Sequence, residues 1–292
     1  MKYQIAHTTE YQYHQRVSLC HNIALLIPRD TNLQECKKTM VRIIPQPDVI
    51  NEYEDFFGNK ILYFAVQQEH SSLKVTVLSQ IEKIKPRNVT MALYSNIPWE
   101  EINKMLSKPG DDNFDARQFI SATAMTSSSK EIHEYAKQSF TPSRSIFEAV
   151  SDLVQRIYNE FEFKPGFTTV ATPLKEVMEE RKGVCQDFAH LAIACVRSMG
   201  LPARYVSGYI ETIAPEGAEK LTGVDASHAW FSIFIPQSGW IDFDPTNNIM
   251  PSDQHITIGW GRDYSDIPPL KGVILSIGRH QLNVTVDVKR LD

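Results

Sequence analysis

From the amino terminus to about Pro86, apolar and polar residues alternate, as in Lys38–Ile44 and Lys74–Ile84, with turn signals at Pro45–Asp48 and at Phe57-Gly58-Asn59. A period of two places successive side chains on opposite faces of a strand, and short strands separated by turn residues predict a β-sandwich over residues 1–86. The pattern lapses between Arg87 and Asn113, where Pro98, Pro109 and Gly110 precede the Asp111-Asp112 pair. This stretch predicts a linker over residues 87–114, wrapped on the surface. From Asp115 the period turns helical, weakly in Asp115–Thr123 and then clearly in Ile146, Val150, Leu153, Val154, Ile157 and Phe161.

The helix starts are marked. Ser145 with Glu148 makes a capping box before the clear helical run, a second helix begins at Thr172 with Pro173 at its first position, and a third spans Val184–Met199 before Gly200 and Pro202 end it. Strand patterns follow at Arg204–Ile213, His228–Ile235 and Trp240–Asp244, and His280–Leu291 alternates as a closing strand. Helices followed by antiparallel strands define an α+β domain over residues 115–292.

Composition narrows the function. A net charge of -5 without a basic stripe argues against nucleic acid as a partner. The amino terminus lacks the apolar core of a signal peptide, and no apolar run approaches about 18 residues, so a cytoplasmic protein without a membrane span is expected. The four cysteines include no CxxC pair, and in that compartment each is read as a free thiol.

Among these thiols, Cys195 falls mid-stripe on the third helix, with Phe188, Leu191, Ala192, Val196 and Met199, and reads as core; Cys20 and Cys36 fall in strand patterns. Cys185 follows Gly183 at the helix start, where unpaired N–H groups and the positive dipole end favour a thiolate. A nucleophile needs a base, and His228 opens a strand whose hairpin partner ends in Asp244. A three-residue connection at Pro236–Ser238 would pair Ile235 with Gly239 and set Asp244 opposite Trp230, diagonal to His228 at about 7 to 8 Å between Cα atoms. Asp242 would then face Ser232, too far from His228 to orient it. A zinc site from Cys185, His190, Cys195 and His228 is the alternative, but its spacings place the helical ligands on different faces.

GVCQDFAHL at 183–191, GLPARYVSGY at 200–209, DASHAW at 225–230 and GWIDFDPTN at 239–247 resemble the bacterial transglutaminase-like family. HTTEYQYHQRV, IPRD at 27–30 and DFFGN at 55–59 resemble the β-sandwich that precedes the core in that family. The resemblance implies a papain-like core with a Cys185, His228, Asp244 triad and neither metal nor cofactor; no acidic calcium loop is present. It implies acyl transfer on an amide of a peptide or protein substrate, read as hydrolysis by a cysteine protease, with transglutaminase activity as the alternative and a non-catalytic interaction protein as the second. The Cys185 N–H is the expected oxyanion donor, Gln186 competes for the second place, and Asp187 reads as a first-turn acid. Trp230 and Trp240 are expected in walls or core, Ala214–Val224 as a flap at the site, and residues 1–86 as a docked, non-catalytic domain, with a dimer left open.

Overall fold

The computed structural model describes residues 1–84, 96–212, 226–275 and 278–291. The alternating amino-terminal segment forms β1 (Lys2–Val17), β2 (Leu19–Ala24), β3 (Gln34–Ile44), β4 (Val49–Glu54), β5 (Lys60–Val66) and β6 (His70–Lys83). Val17, Leu62, Phe64, Val66, Leu73, Val75 and Val77 are buried together between two sheets. Period-two burial is what one apolar face per strand produces.

Between the sandwich and the α+β core, α1 (Trp99–Leu106) and α2 (Asp111–Arg117) occupy much of the stretch expected as a linker. Ile102 and Leu106, one turn apart, are buried in the helical core. Pro98, Pro109 and Gly110 bound these helices instead of breaking them. Then come α3 (Lys130–Lys137), α4 (Ile146–Glu160), β7 (Glu162–Phe163), α5 (Leu174–Glu180), β8 (Lys182–Gly183) and α6 (Cys185–Ser198). Ser145 caps α4 as expected, its Oγ accepting from the Glu148 N–H at 3.2 Å and donating to Glu148 Oε2 at 2.8 Å. Helix α6 is buried on all sides from Asp187 to Arg197, with helices around one flank and a sheet on the other.

That sheet is antiparallel, in the order β11-β10-β9-β12, from β9 (Ala203–Ile210), β10 (Ala226–Ile235), β11 (Gly239–Phe243) and β12 (His255–Gly261). Strand β12 has no clean alternating signature, because Gly259 and Gly261 interrupt it and its pairing with β9 shifts between Thr257 and Gly259. The chain then returns to the sandwich: β13 (Leu270–Leu275) pairs with β2, and β14 (His280–Arg290) pairs with β1. The closing strand thus completes the sheet β14-β1-β6-β3, opposite β13-β2-β5-β4.

The amino-terminal domain docks along the free edge of β12. Gln34 accepts from Thr257 N at 2.9 Å and donates to Thr257 O at 2.6 Å, and Asn59 does the same for Trp260 at 3.0 and 2.7 Å. Two side-chain amides imitate a neighbouring strand and satisfy an edge that would otherwise be open. Lys83 Nζ donates to His255 O at 2.7 Å, and Arg29 N donates to Ile258 O at 3.1 Å. The Ala214–Val224 flap lies outside the described residues. Among the described residues no helix is long and apolar enough to cross a membrane.

Candidate active site

Cys185 is the first residue of α6 and is half-buried. The turn before it is tight: a Cβ on Gly183 would meet Asp187 Oδ2 at 2.9 Å. Asp187 Oδ2 instead accepts from the Val184 N–H at 2.8 Å and from Thr168 Oγ1 at 2.6 Å, pinning the helix start. Burial raises the Asp187 pKa against those two bonds. Asp187 is therefore the first-turn acid expected.

The β10–β11 hairpin has the expected register. Ile235 pairs with Gly239 and Ser232 with Asp242, and the connection closes through the positive φ values of Gln237 and Gly239. Asp244 therefore emerges beside Trp230 and diagonal to His228. His228 Nε2 donates to Asp244 Oδ2 at 2.8 Å, and Cys185 lies close enough to the same ring to raise its pKa. With Nε2 engaged by the carboxylate, Nδ1 is the nitrogen left for sulfur.

Asp244 is fully buried and accepts from five donors. Oδ1 takes Thr246 N at 2.9 Å and Asn247 N at 3.3 Å; Oδ2 takes His228, Asn247 Nδ2 at 2.7 Å and His255 Nε2 at 3.0 Å. Burial pushes its pKa up, but the bonds from His228 and His255, the imidazole charge and Asn247 outweigh it and hold the carboxyl well below the usual range. For His228, burial pulls the ring pKa down, while hydrogen bonds to Asp244 and Cys185 and the charges of both raise it to about 10.

His255 was not singled out by its sequence, since it opens a strand whose alternation is interrupted by Gly259 and Gly261. Its Nδ1 accepts from Ser252 N at 3.3 Å, so Nε2 carries the proton given to Asp244. Asn247 follows Asp244 at i+3, an Asx-type spacing that could have marked it.

His228, Asp244 and His255 also form the one group able to hold a metal ion among the described residues, their donor atoms lying within 4.8 Å of one another. As arranged, three N–H groups, two of them from the imidazoles, fill Asp244 Oδ2 at hydrogen-bond distances. The alternative zinc ligands are not brought together: buried His190 accepts from Tyr264 N at 3.1 Å, and Cys195 Sγ contacts Ile132 O at 3.9 Å. Burial lowers the His190 pKa to about 4 and raises that of Cys195 to about 12.

Trp230 is core, its Nε1 donating to Asp242 Oδ2 at 3.1 Å. Its ring crosses β9 where a Cβ on Gly208 would meet Trp230 at 2.4 Å, so that position requires glycine. Trp240 is half-buried and packs edge-on against Phe119.

The profile of the bacterial transglutaminase-like N-terminal region matches residues 3–82, and that of the transglutaminase-like superfamily matches residues 133–245. An uncharacterised protein of Mycobacterium tuberculosis is 37% identical over 98% of this chain and 92% of its own length. A protein-glutamine gamma-glutamyltransferase of Pseudomonas aeruginosa is 31% identical over 106 residues, 35% of this chain and 16% of that protein. Among solved structures, a candidate cysteine protease from Cytophaga hutchinsonii superposes with a TM-score of 0.78 at 23% identity, over 100% of this chain and 91% of that one, a likeness of fold. From its sandwich to the hairpin carrying His228 and Asp244, this chain belongs to the bacterial transglutaminase-like family.

Proposed function

We propose that the protein is a cysteine-nucleophile amide hydrolase acting on peptide or protein substrates through Cys185, His228 and Asp244. The observation that carries this reading is the hydrogen bond from His228 to a buried carboxylate, with the helix-start thiol close enough to the same imidazole to raise its pKa. With the thiol proton already held on His228, whose pKa is raised to about 10, the sulfur attacks the amide carbonyl carbon. The tetrahedral oxyanion is met by the Cys185 N–H, one of the unpaired groups of the first turn. As the C–N bond breaks, His228 returns the proton to the leaving amine and a thioester remains. Water, deprotonated by His228, then attacks the thioester; the C–S bond breaks, a carboxylic acid leaves and the thiol is restored. Asp244 holds the ring orientation and stabilises the imidazolium, and His255 and Asn247 position Asp244.

Transamidation is the second reading, supported by the segment similar to the Pseudomonas gamma-glutamyltransferase. It shares the thioester and differs in that an amine, not water, attacks it. A peptide library assayed with and without added amine, on wild type and Cys185→Ala, separates the two. Hydrolysis predicts new amino termini with or without amine; amine incorporation with intact peptide bonds selects transamidation. Turnover undiminished in Cys185→Ala would sink both.

A further inference from the structure

A cavity of about 780 Å³ lies between the sandwich, the α2 region and the core sheet. His255 and Trp230 line it, whereas Cys185 and His228 do not. Its size is that of a small-molecule site.

Inside it Arg204 is 8% exposed, with its guanidinium carbon 3.7 Å from the Trp260 ring centroid and 4.3 Å from that of Trp240. Its one hydrogen bond among the described residues runs from Nε to Ser232 Oγ at 3.4 Å. The two terminal nitrogens, a flat fork of four N–H donors, have no acceptor among the described residues. Asp242, the nearest carboxylate influence on Arg204, has both oxygens engaged, Oδ2 by Trp230 Nε1 and Oδ1 by Ser232 Oγ. A buried cation without a matching acceptor costs stability unless something supplies one.

The amino-terminal motifs build the rest of this site. Asp55 Oδ1 accepts from Phe57 N and Asn59 N at 2.8 Å each, a tight turn that lifts Phe56 to 81% exposure at the mouth and seats Phe57 in the wall. Arg29, held by Phe57 O and Asn59 Oδ1, stacks 3.4 Å over Trp260 and so backs the ring that covers Arg204. Phe119 and Phe147 complete an apolar, aromatic enclosure. Lys83 also lines it. Of the lining charges, Lys83 is engaged by His255 O, Asp242 by Trp230 and Ser232, and Asp115 is exposed, so the Arg204 fork is the buried charge left to pair, which suits a singly charged anion better than a dianion.

We propose that this cavity binds a monocarboxylate with an aromatic or acyl body, its carboxylate held bidentately by the Arg204 fork. Planar guanidinium and carboxylate match in geometry, and a water-excluded pair is stronger than an exposed one. The site stands independently of the catalytic reading, because it uses none of the triad.

Trp230, Trp240 and Trp260 line the cavity, so tryptophan fluorescence reports occupancy directly. The wild-type chain is titrated with N-acetyl-phenylalanine, with its carboxamide and with inorganic phosphate. Saturable quenching by the acid with Kd on the order of 1 mM or below, at least about tenfold tighter than the amide, is expected. Folded Arg204→Met, checked by circular dichroism, should lose that preference. Equal affinity for acid and amide, no saturable binding of the acid, tighter binding of phosphate, or an undiminished preference in folded Arg204→Met would each overturn the proposal. If Arg204→Met does not fold, the wild-type comparison of acid with amide decides alone.

Discussion

The open end of β11 carries two carboxylates two residues apart, and they do different work. Asp244, at the open end, collects two imidazoles and an amide. Asp242, nearer the turn, is spent on the Trp230 indole and the Ser232 hydroxyl beside a buried guanidinium. Residue type is the same; the partners decide. A carboxylate whose neighbours can exchange protons becomes a chemical group, and one whose neighbours cannot becomes a structural acceptor.

The largest expected effect comes from neutralising each in turn. Asp244→Asn should lower amide turnover by on the order of 10⁴-fold while the fold survives, because an imidazole left mispositioned or in the wrong tautomer cannot serve as base. Asp242→Asn should keep turnover near wild type and lose about 1–3 kcal/mol of stability instead, as a buried polar network is disturbed. Steady-state rates and urea midpoints measured on both variants check this, and an inverted pattern would move the triad to Asp242.

Thiol chemistry sharpens the contrast between the helix start and the helix body. Iodoacetamide should modify Cys185 first, with Cys195 and Cys20 protected by burial that also raises their pKa values. Peptide mapping of the alkylated chain reads the order, and prior modification of any other cysteine would remove the nucleophile from Cys185.

The smallest effect is on stability against pH. A free histidine titrates near about 6.5, and His228 in the fold near about 10. Its stabilising contribution is therefore complete below about pH 6.5 and is lost as pH rises toward about 10. Asp244, held below its ordinary range, contributes above about pH 4 and loses that contribution as pH falls further. The difference in urea midpoint between wild type and His228→Gln should shrink steadily from pH 6 to pH 10; a difference that grows would mean that the ring is kept neutral in the fold.

Much of the site was legible because it rests on local rules. Gly183 before a helix start marked the turn that presents Cys185, and a three-residue loop with alternating flanks specified which aspartate faces His228. The cap at Ser145 and the buried stripe of α6 followed from period and capping chemistry alone. His255 was not legible: its strand is an edge element broken by Gly259, and its role depends on a carboxylate contributed by another strand.

Sequence by itself determined the strand and helix periods, the helix starts, the hairpin register and hence the pairing of His228 with Asp244, because each depends on neighbours a few residues apart. Only the tertiary structure decided that the carboxy-terminal strands close the amino-terminal sandwich, that Gln34 and Asn59 stand in for a missing strand along β12, and that Arg204 is enclosed between Trp240 and Trp260. Those arrangements join residues up to nearly the whole chain apart. What selects them is which apolar faces and open edges remain once the local elements have formed, and no local pattern records that.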